Sequence, residues 1–312
     1  MAEKRFFVFF REMSPGAQLL ASLTVVLLVF AVLYPVFLLA GLLAGTDLAA
    51  MEKVASGGVA VPSAIKYLQA AQHVSLFIAP VLVWSFLCEG TVTGYTGMKL
   101  YPRPDHILLV ILISMLLIPV NSYTGYLNSQ VIFPEWLSGA EEWIIAKEET
   151  AVNLMSELIR STDLKGLLIN ILIIAIIPAA GEELFFRGML QKILVRLIKN
   201  QHIALLLTAF VFSSLHFQFY GFLPRLILGV VYGYLFLWSG SVWLPSIAHF
   251  INNGIPVVLA YLYGWESVME TTTAITTDKP SIPIVSIIVL IILMLYFRRL
   301  LKSDPTLRSR FS

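Results

Sequence analysis

Charge is what this sequence has least of. Only 13% of its 312 residues are Asp, Glu, Lys or Arg, about half the share a water-soluble domain carries. That shortage excludes a fold that faces water on every side. Cysteine is nearly absent too: Cys88 is alone, so no internal disulfide framework can form. Its place near an expected helix end suits a small apolar filler. No solenoid repeat or low-complexity tract occurs. Ser214-Leu-His216-Phe and Ile247-Ala-His249-Phe are alike, but too briefly to argue duplication. The apolar run Leu19–Leu43 lacks a convincing cleavage site and exceeds a signal-peptide core, so it is expected to stay as an anchor. The closing residues Arg310-Phe-Ser carry no prenylation signal. A net charge of +2 gives no ground for nucleic-acid binding.

What the chain has in abundance is apolar length. Hydrophobic residues make up 58%, and mean hydropathy is +0.84. Lipid offers backbone groups no partner, so about twenty apolar residues must cross as helix. The expectation is an all-α, polytopic integral membrane bundle of about eight transmembrane helices, forming one domain over 1–312. The cores are Leu19–Leu43, His73–Leu87, Ile107–Tyr123, Leu167–Ala180, Ile203–Leu215, Leu223–Trp238, Val242–Leu262 and Ile282–Phe297. The second should begin near Ala64, and the fourth must run past Glu182 to reach full length.

Charge placement orients these spans. With the N-terminus inside, the cytoplasmic segments hold Lys4, Arg5, Arg11, Lys99, Arg103, Lys192, Arg196, Lys199, Arg298, Arg299, Lys302, Arg308 and Arg310. Most acids fall on the other side: Asp47, Glu52, Glu135, Glu141, Glu142, Glu148, Glu149, Glu157, Asp163, Glu266, Glu270 and Asp278. That asymmetry alternates correctly through an even number of spans and puts both termini in the cytoplasm. The long connection 129–165 is then extracytoplasmic. Within it Ile144, Ala151, Met155 and Leu158 recur at helical spacing among acids, which predicts an amphipathic helix.

Three polar clusters interrupt the apolar spans. The first, Gly181-Glu182-Glu183-Leu-Phe-Phe-Arg187-Gly188, continues the fourth span. Each charge at membrane depth costs about 2.5–3.5 kcal/mol or more, so such groups are rarely idle. Glu183 and Arg187 are four apart and suit an ion pair. Glu182 points about 100° away around the helix, which leaves it free for acid–base work. The second cluster is Phe212-Ser-Ser-Leu-His216. The third is His249-Phe-Ile-Asn-Asn253, whose His249 and Asn253 share a face and suit hydrogen-bond donation to an oxyanion. His216 suits either orienting water beside Glu182 or completing that donor set.

Other polar and aromatic residues read as structural. His73, His106 and His202 sit near expected interfaces, Asn121 and Asn170 suit helix–helix hydrogen bonding, and Trp84, Trp238 and Trp243 suit interfacial anchoring. A cytoplasmic boundary near Leu190 puts Glu182 about 12 Å in, and a span starting near His202 puts His216 about 20 Å in. The two then lie at different depths unless tilt or a later start of the span brings them level.

Glu182-Glu183-x-x-x-Arg187, Phe212-x-x-x-His216 and His249-x-x-x-Asn253, in this order on successive spans, resemble the CAAX protease and bacteriocin-processing (CPBP, or ABI) family. That family includes the type II CAAX prenyl endopeptidases. The likeness covers Leu167–Gly254, within a motif-bearing core at 164–254. It implies an intramembrane endopeptidase with a polar cavity open to the cytoplasm. By this resemblance Glu182 activates water, His216 assists, His249 and Asn253 hold the oxyanion, and Glu183 and Arg187 support them. It also implies a membrane-associated peptide or protein as substrate. Cofactors are expected to be none, although Glu182, His216 and His249 are zinc-ligand types; no His-Glu-x-x-His helix is present. Other readings are a non-proteolytic scaffold acting through a membrane protein partner, with Pro35, Pro80 and the outer helix at its interface, and a proton-coupled transporter.

Overall fold

A computed structural model describes residues 9–55 and 62–303; Lys4, Arg5, Arg308 and Arg310 of the charge argument lie outside the described residues. Within them the chain is helical, with no strand. In chain order the helices are α1 (Pro15–Leu43), α2 (Leu48–Ala55), α3 (Pro62–Glu89), α4 (Pro104–Ser129), α5 (Ser138–Ile159) and α6 (Leu164–Ile198). After these come α7 (Gln201–Ser214), α8 (Phe222–Ser239), α9 (Trp243–Tyr263), α10 (Trp265–Asp278) and α11 (Ser281–Ser303). Local chemistry marks the boundaries. Asp163 caps α6 by accepting from Gly166 N, Asn200 caps α7, and left-handed glycines Gly90 and Gly240 end α3 and α8.

All eight expected apolar cores fall in helices, but six helices among the described residues are long and apolar enough to cross a bilayer: α1, α3, α4, α6, α8 and α11. The other two are α7 and α9. α7 has only 14 residues, about 21 Å of helix against a hydrocarbon core of about 30 Å. α9 is long enough but spends part of its face on His249, Asn252 and Asn253. The connecting helix expected outside is α5, which buries Ile144 and Leu158.

The protein is an integral membrane bundle in which α6 sits between two apolar cores. On one side Phe185, Phe186 and Met189 of α6 pack with Val26 of α1 and Val81 and Trp84 of α3. The other core joins α4, α8, α9 and α11 through Val110, Ile113, Tyr232, Leu244 and Phe297. Leu20, Leu27, Leu28 and Val32 of α1 and Ile288, Ile291 and Leu295 of α11 face outward, where lipid replaces water as solvent. Trp84 is fully buried beside Phe10 and Tyr95. It is a core residue, not the interfacial anchor expected, because its helix face turns toward α6.

Side-chain ties identify the two ends of the bundle. At one end Arg196 donates to Gln18 Oε1 at 2.7 Å, Lys192 to the Tyr95 carbonyl, and Trp243 Nε1 to the Met98 carbonyl at 2.8 Å. At the other, Asn170 Nδ2 donates to the Ile159 carbonyl at 2.7 Å, Tyr220 N to Glu148 Oε1 at 2.8 Å, and Asn128 to the Phe219 carbonyl. The first is the basic end of the sequence argument and the second the acidic end.

Candidate active site

The site begins with α6. This helix is 35 residues long and places Glu182 and Glu183 near its middle, with π-type turns at Ile171–Ile176 and Leu184–Gln191 on either side. Such turns leave the regular hydrogen-bond ladder and recur at functional positions. Arg187 Nη1 donates to Glu183 Oε1 at 2.9 Å, as the spacing predicts, and both side chains are fully buried. Arg187 also donates to the Gly229 carbonyl at 3.0 Å, and its guanidinium lies 4.9 Å from the Phe212 ring centre and 5.5 Å from that of Tyr232. Hydrogen bonds and π faces together replace the water this cation has lost.

Glu183 has a second donor. His249 Nδ1 lies 2.9 Å from the same Oε1, and the ring is stacked on Tyr232, 24° from parallel. A carboxylate only accepts, so the Nδ1 position carries the proton and Nε2 turns toward Glu182 Oε2 at 3.9 Å. Glu183 is thus held by arginine and also fixes the orientation of the α9 imidazole.

Glu182 is less free than its helical angle suggests. Its Oε1 lies 3.2 Å from His73 Nε2 on α3. His73 Nδ1 is 2.9 Å from the Gln69 carbonyl, an acceptor, so that nitrogen is a donor. Two lone pairs would otherwise face each other across the 3.2 Å gap, so one proton lies between His73 and Glu182. Glu182 Oε2 is buried and has no hydrogen-bond partner. One oxygen of Glu182 is therefore anchored and the other is available. His73, read as structural in sequence, is the residue that sequence reasoning missed. Only tertiary packing brings it to α6.

Glu182, His216, His249 and Asn253 all line one cavity of about 320 Å³. Glu182 and His216 lie at similar depth, because α6 runs past Leu190 to Ile198. Counted from Ile198, Glu182 lies about 24 Å along its helix, and His216 about 22 Å from the start of α7. His216 follows the last turn of α7, and its Nδ1 donates to the Phe212 carbonyl at 2.8 Å, which leaves Nε2 as the acceptor. Phe217 then takes a left-handed backbone, φ +52°, an uncommon conformation for a bulky residue, and turns the chain toward α8. Asn253 spends one amide hydrogen on the Ile174 carbonyl at 3.2 Å and has a second to offer. Asn121, read as helix glue, does bond Asn252 across helices at 2.9 Å. That pair and Arg225 also line the cavity.

A larger cavity of about 1000 Å³ adjoins this one: Arg225 lines both, and His73 in the wall of the larger contacts Glu182 in the wall of the smaller. Its walls are mainly apolar side chains of α1, α3 and α5, among them Leu38, Leu68 and Leu154. Of the remaining histidines, His202 bonds the Tyr234 hydroxyl at 3.0 Å and His106 packs edge-on to Phe297, both away from this centre. Among the described residues no three His, Cys, Asp or Glu side chains are grouped to hold a metal ion.

The molecule is thus of the class of polytopic membrane proteins built around a buried acid–imidazole cluster. Residues 164–255, the stretch that bears all three motifs, match the family model of Rce1-like type II CAAX prenyl endopeptidases. The chain is also similar to the uncharacterized protein YpbD of Bacillus subtilis (strain 168), 28% identical over 90 residues. That alignment takes in 28% of this chain and 43% of YpbD, so the chain spans less than half the length of the relative it matches. No solved structure matches.

Proposed function

We propose that the protein is an intramembrane endopeptidase that hydrolyses a peptide bond of a membrane-associated substrate with water activated by Glu182. One observation carries this reading: a buried carboxylate with one oxygen anchored and the other unpartnered faces the same cavity as two imidazoles and a carboxamide. In the reaction, Glu182 Oε2 takes a proton from water while the water oxygen bonds to the scissile carbonyl carbon. His216 Nε2 accepts the other water hydrogen and holds the nucleophile in line. The second amide hydrogen of Asn253 donates to the oxyanion. His249 Nε2 joins it when the ring carries both protons. Collapse of the tetrahedral intermediate breaks the C–N bond, and Glu182 passes its proton to the leaving amine. No step is routed through a metal.

The match of residues 164–255 to a peptidase family supports the same reading. The test uses purified full-length protein and a mixed-sequence library of membrane-associating peptides, with cleavage read by mass spectrometry. Glu182→Gln should lower cleavage by about 10²–10⁴-fold, and His249→Ala by about 10²–10³-fold. Thermal unfolding of Glu182→Gln should stay close to wild type. Cleavage that survives Glu182→Gln unchanged would remove the mechanism.

A further inference from the structure

Nothing in the motifs says from which side of the bilayer Glu182 is reached, and the packing around it is not symmetric. Toward the basic end the path is solid. Phe186, Arg187, Met189, Gln191 and Tyr232 are each no more than 1% exposed. The cavity beyond them, about 300 Å³ and lined by Tyr95, Lys192 and Phe236, shares no residue with the one around Glu182. Water or peptide arriving there would have to break the Glu183–Arg187 pair and the aromatic faces that enclose it.

Toward the acidic end the path is open. The 320 Å³ cavity runs from Glu182 and His249 to Gly221, Pro224 and Arg225, at the α7–α8 loop and the start of α8. The adjoining 1000 Å³ cavity continues along α3 to Met51, Glu52 and the outer helix α5. The loop itself adds an independent point. Residues between Ser214 and Phe222 leave the helix only about 21 Å from the start of α7. Non-helical backbone short of the full hydrocarbon thickness is tolerated where it lines a wet cavity. The loop is fastened to the acidic end through Tyr220 and Glu148.

We propose that water and substrate reach Glu182 from the acidic end, which the distribution of lysine and arginine makes the extracytoplasmic face. This is opposite to the cytoplasmic opening that the family resemblance implies. The inference rests on the peptidase reading, whose substrate it narrows. The substrate is a peptide displayed on the outer leaflet, with an apolar stretch that lies in the cavity between α1, α3 and α5. Continuity of that cavity with the site through His73 favours this occupant.

The experiment reads access without relying on cleavage. In a full-length Cys88→Ala background, single cysteines replace Leu154 and Gln218, which line the large cavity, with Glu266→Cys and Lys99→Cys as exposed markers of the two ends. A membrane-impermeant maleimide is added to intact cells and, separately, to inside-out vesicles. Leu154→Cys and Gln218→Cys should react at least about tenfold faster in intact cells, together with Glu266→Cys, while Lys99→Cys reacts only in the vesicles. Reaction of the cavity cysteines from the same side as Lys99→Cys, or equally from both sides, overturns the inference. Because labelling needs no turnover, a negative cleavage assay would leave this result intact and would count against the peptidase reading alone.

Discussion

His73 precedes Glu182 by 109 residues in the chain yet shares a proton with it across 3.2 Å. Its effect on Glu182 is therefore chemical as well as steric, which makes it a positioning residue with a testable signature. His73→Ala should lower kcat by about 10²-fold with little change in KM, since the residue holds the acid and not the peptide. The large cavity borders His73, so added imidazole can occupy the space and should restore about tenfold of the loss. Unchanged kcat, or loss without rescue, would reduce His73 to a packing residue. The local pairings were legible because helical geometry alone sets them: Glu183 with Arg187 at four residues, His249 and Asn253 on one face. What was not legible depends on packing between distant helices. His73, Arg225 and Asn252 have nothing in their flanking residues to mark them, and the dual engagement of Glu183 appears only once α9 lies against α6.

α3 can bring His73 to Glu182 because of the residue beside the acid. A Cβ at Gly181 would lie 3.0 Å from Ile78 Cγ1 and 3.3 Å from Phe77 Cβ, tighter than ordinary side-chain packing. Glycine there lets the two helices approach at the level where the π-type turn Val74–Ile78 follows His73. A bulkier residue should wedge α3 outward and lengthen the His73–Glu182 contact. Displacing a catalytic group by about 1 Å costs about 10²-fold in rate, so Gly181→Val is expected to lose about that much, with Gly181→Ala between it and wild type. Cleavage by Gly181→Val at the wild-type rate in a folded protein would show that α3 contributes no positioning. The apolar runs foretold where eight of these helices lie, but not α2 or α10 and not the true lengths. α6 continues through Glu182, Arg187 and Lys192 to Ile198 because buried partners receive its charges one by one, and hydropathy does not record that compensation.

At the scale of the whole molecule, the same mismatch that separates α7 from the spanning helices has a mechanical consequence. α7 covers about 21 Å, some 9 Å less than an average hydrocarbon core, while α6 beside it is 35 residues long. The bundle is therefore thin on the side where the α7–α8 loop, His216 and Arg225 wall the cavity. A bilayer must thin locally there to keep the loop wet. Thickening the lipid opposes that deformation at a cost of fractions of a kcal/mol per Å. The molecule can relieve the strain by sinking the loop, which draws the cavity away from water. In liposomes of long-chain phosphatidylcholine, Glu182-dependent cleavage should be about three- to tenfold slower than in short-chain liposomes. Maleimide labelling of Gln218→Cys should slow in parallel, whereas Glu266→Cys, exposed at the start of α10, should react equally in both. Cleavage that slows while Gln218→Cys labelling does not would place the lipid effect on the chemistry and not on access. Equal rates for both in the two lipids would mean that the loop is held at its depth by protein alone, with Tyr220 and Asn128 as its fastenings.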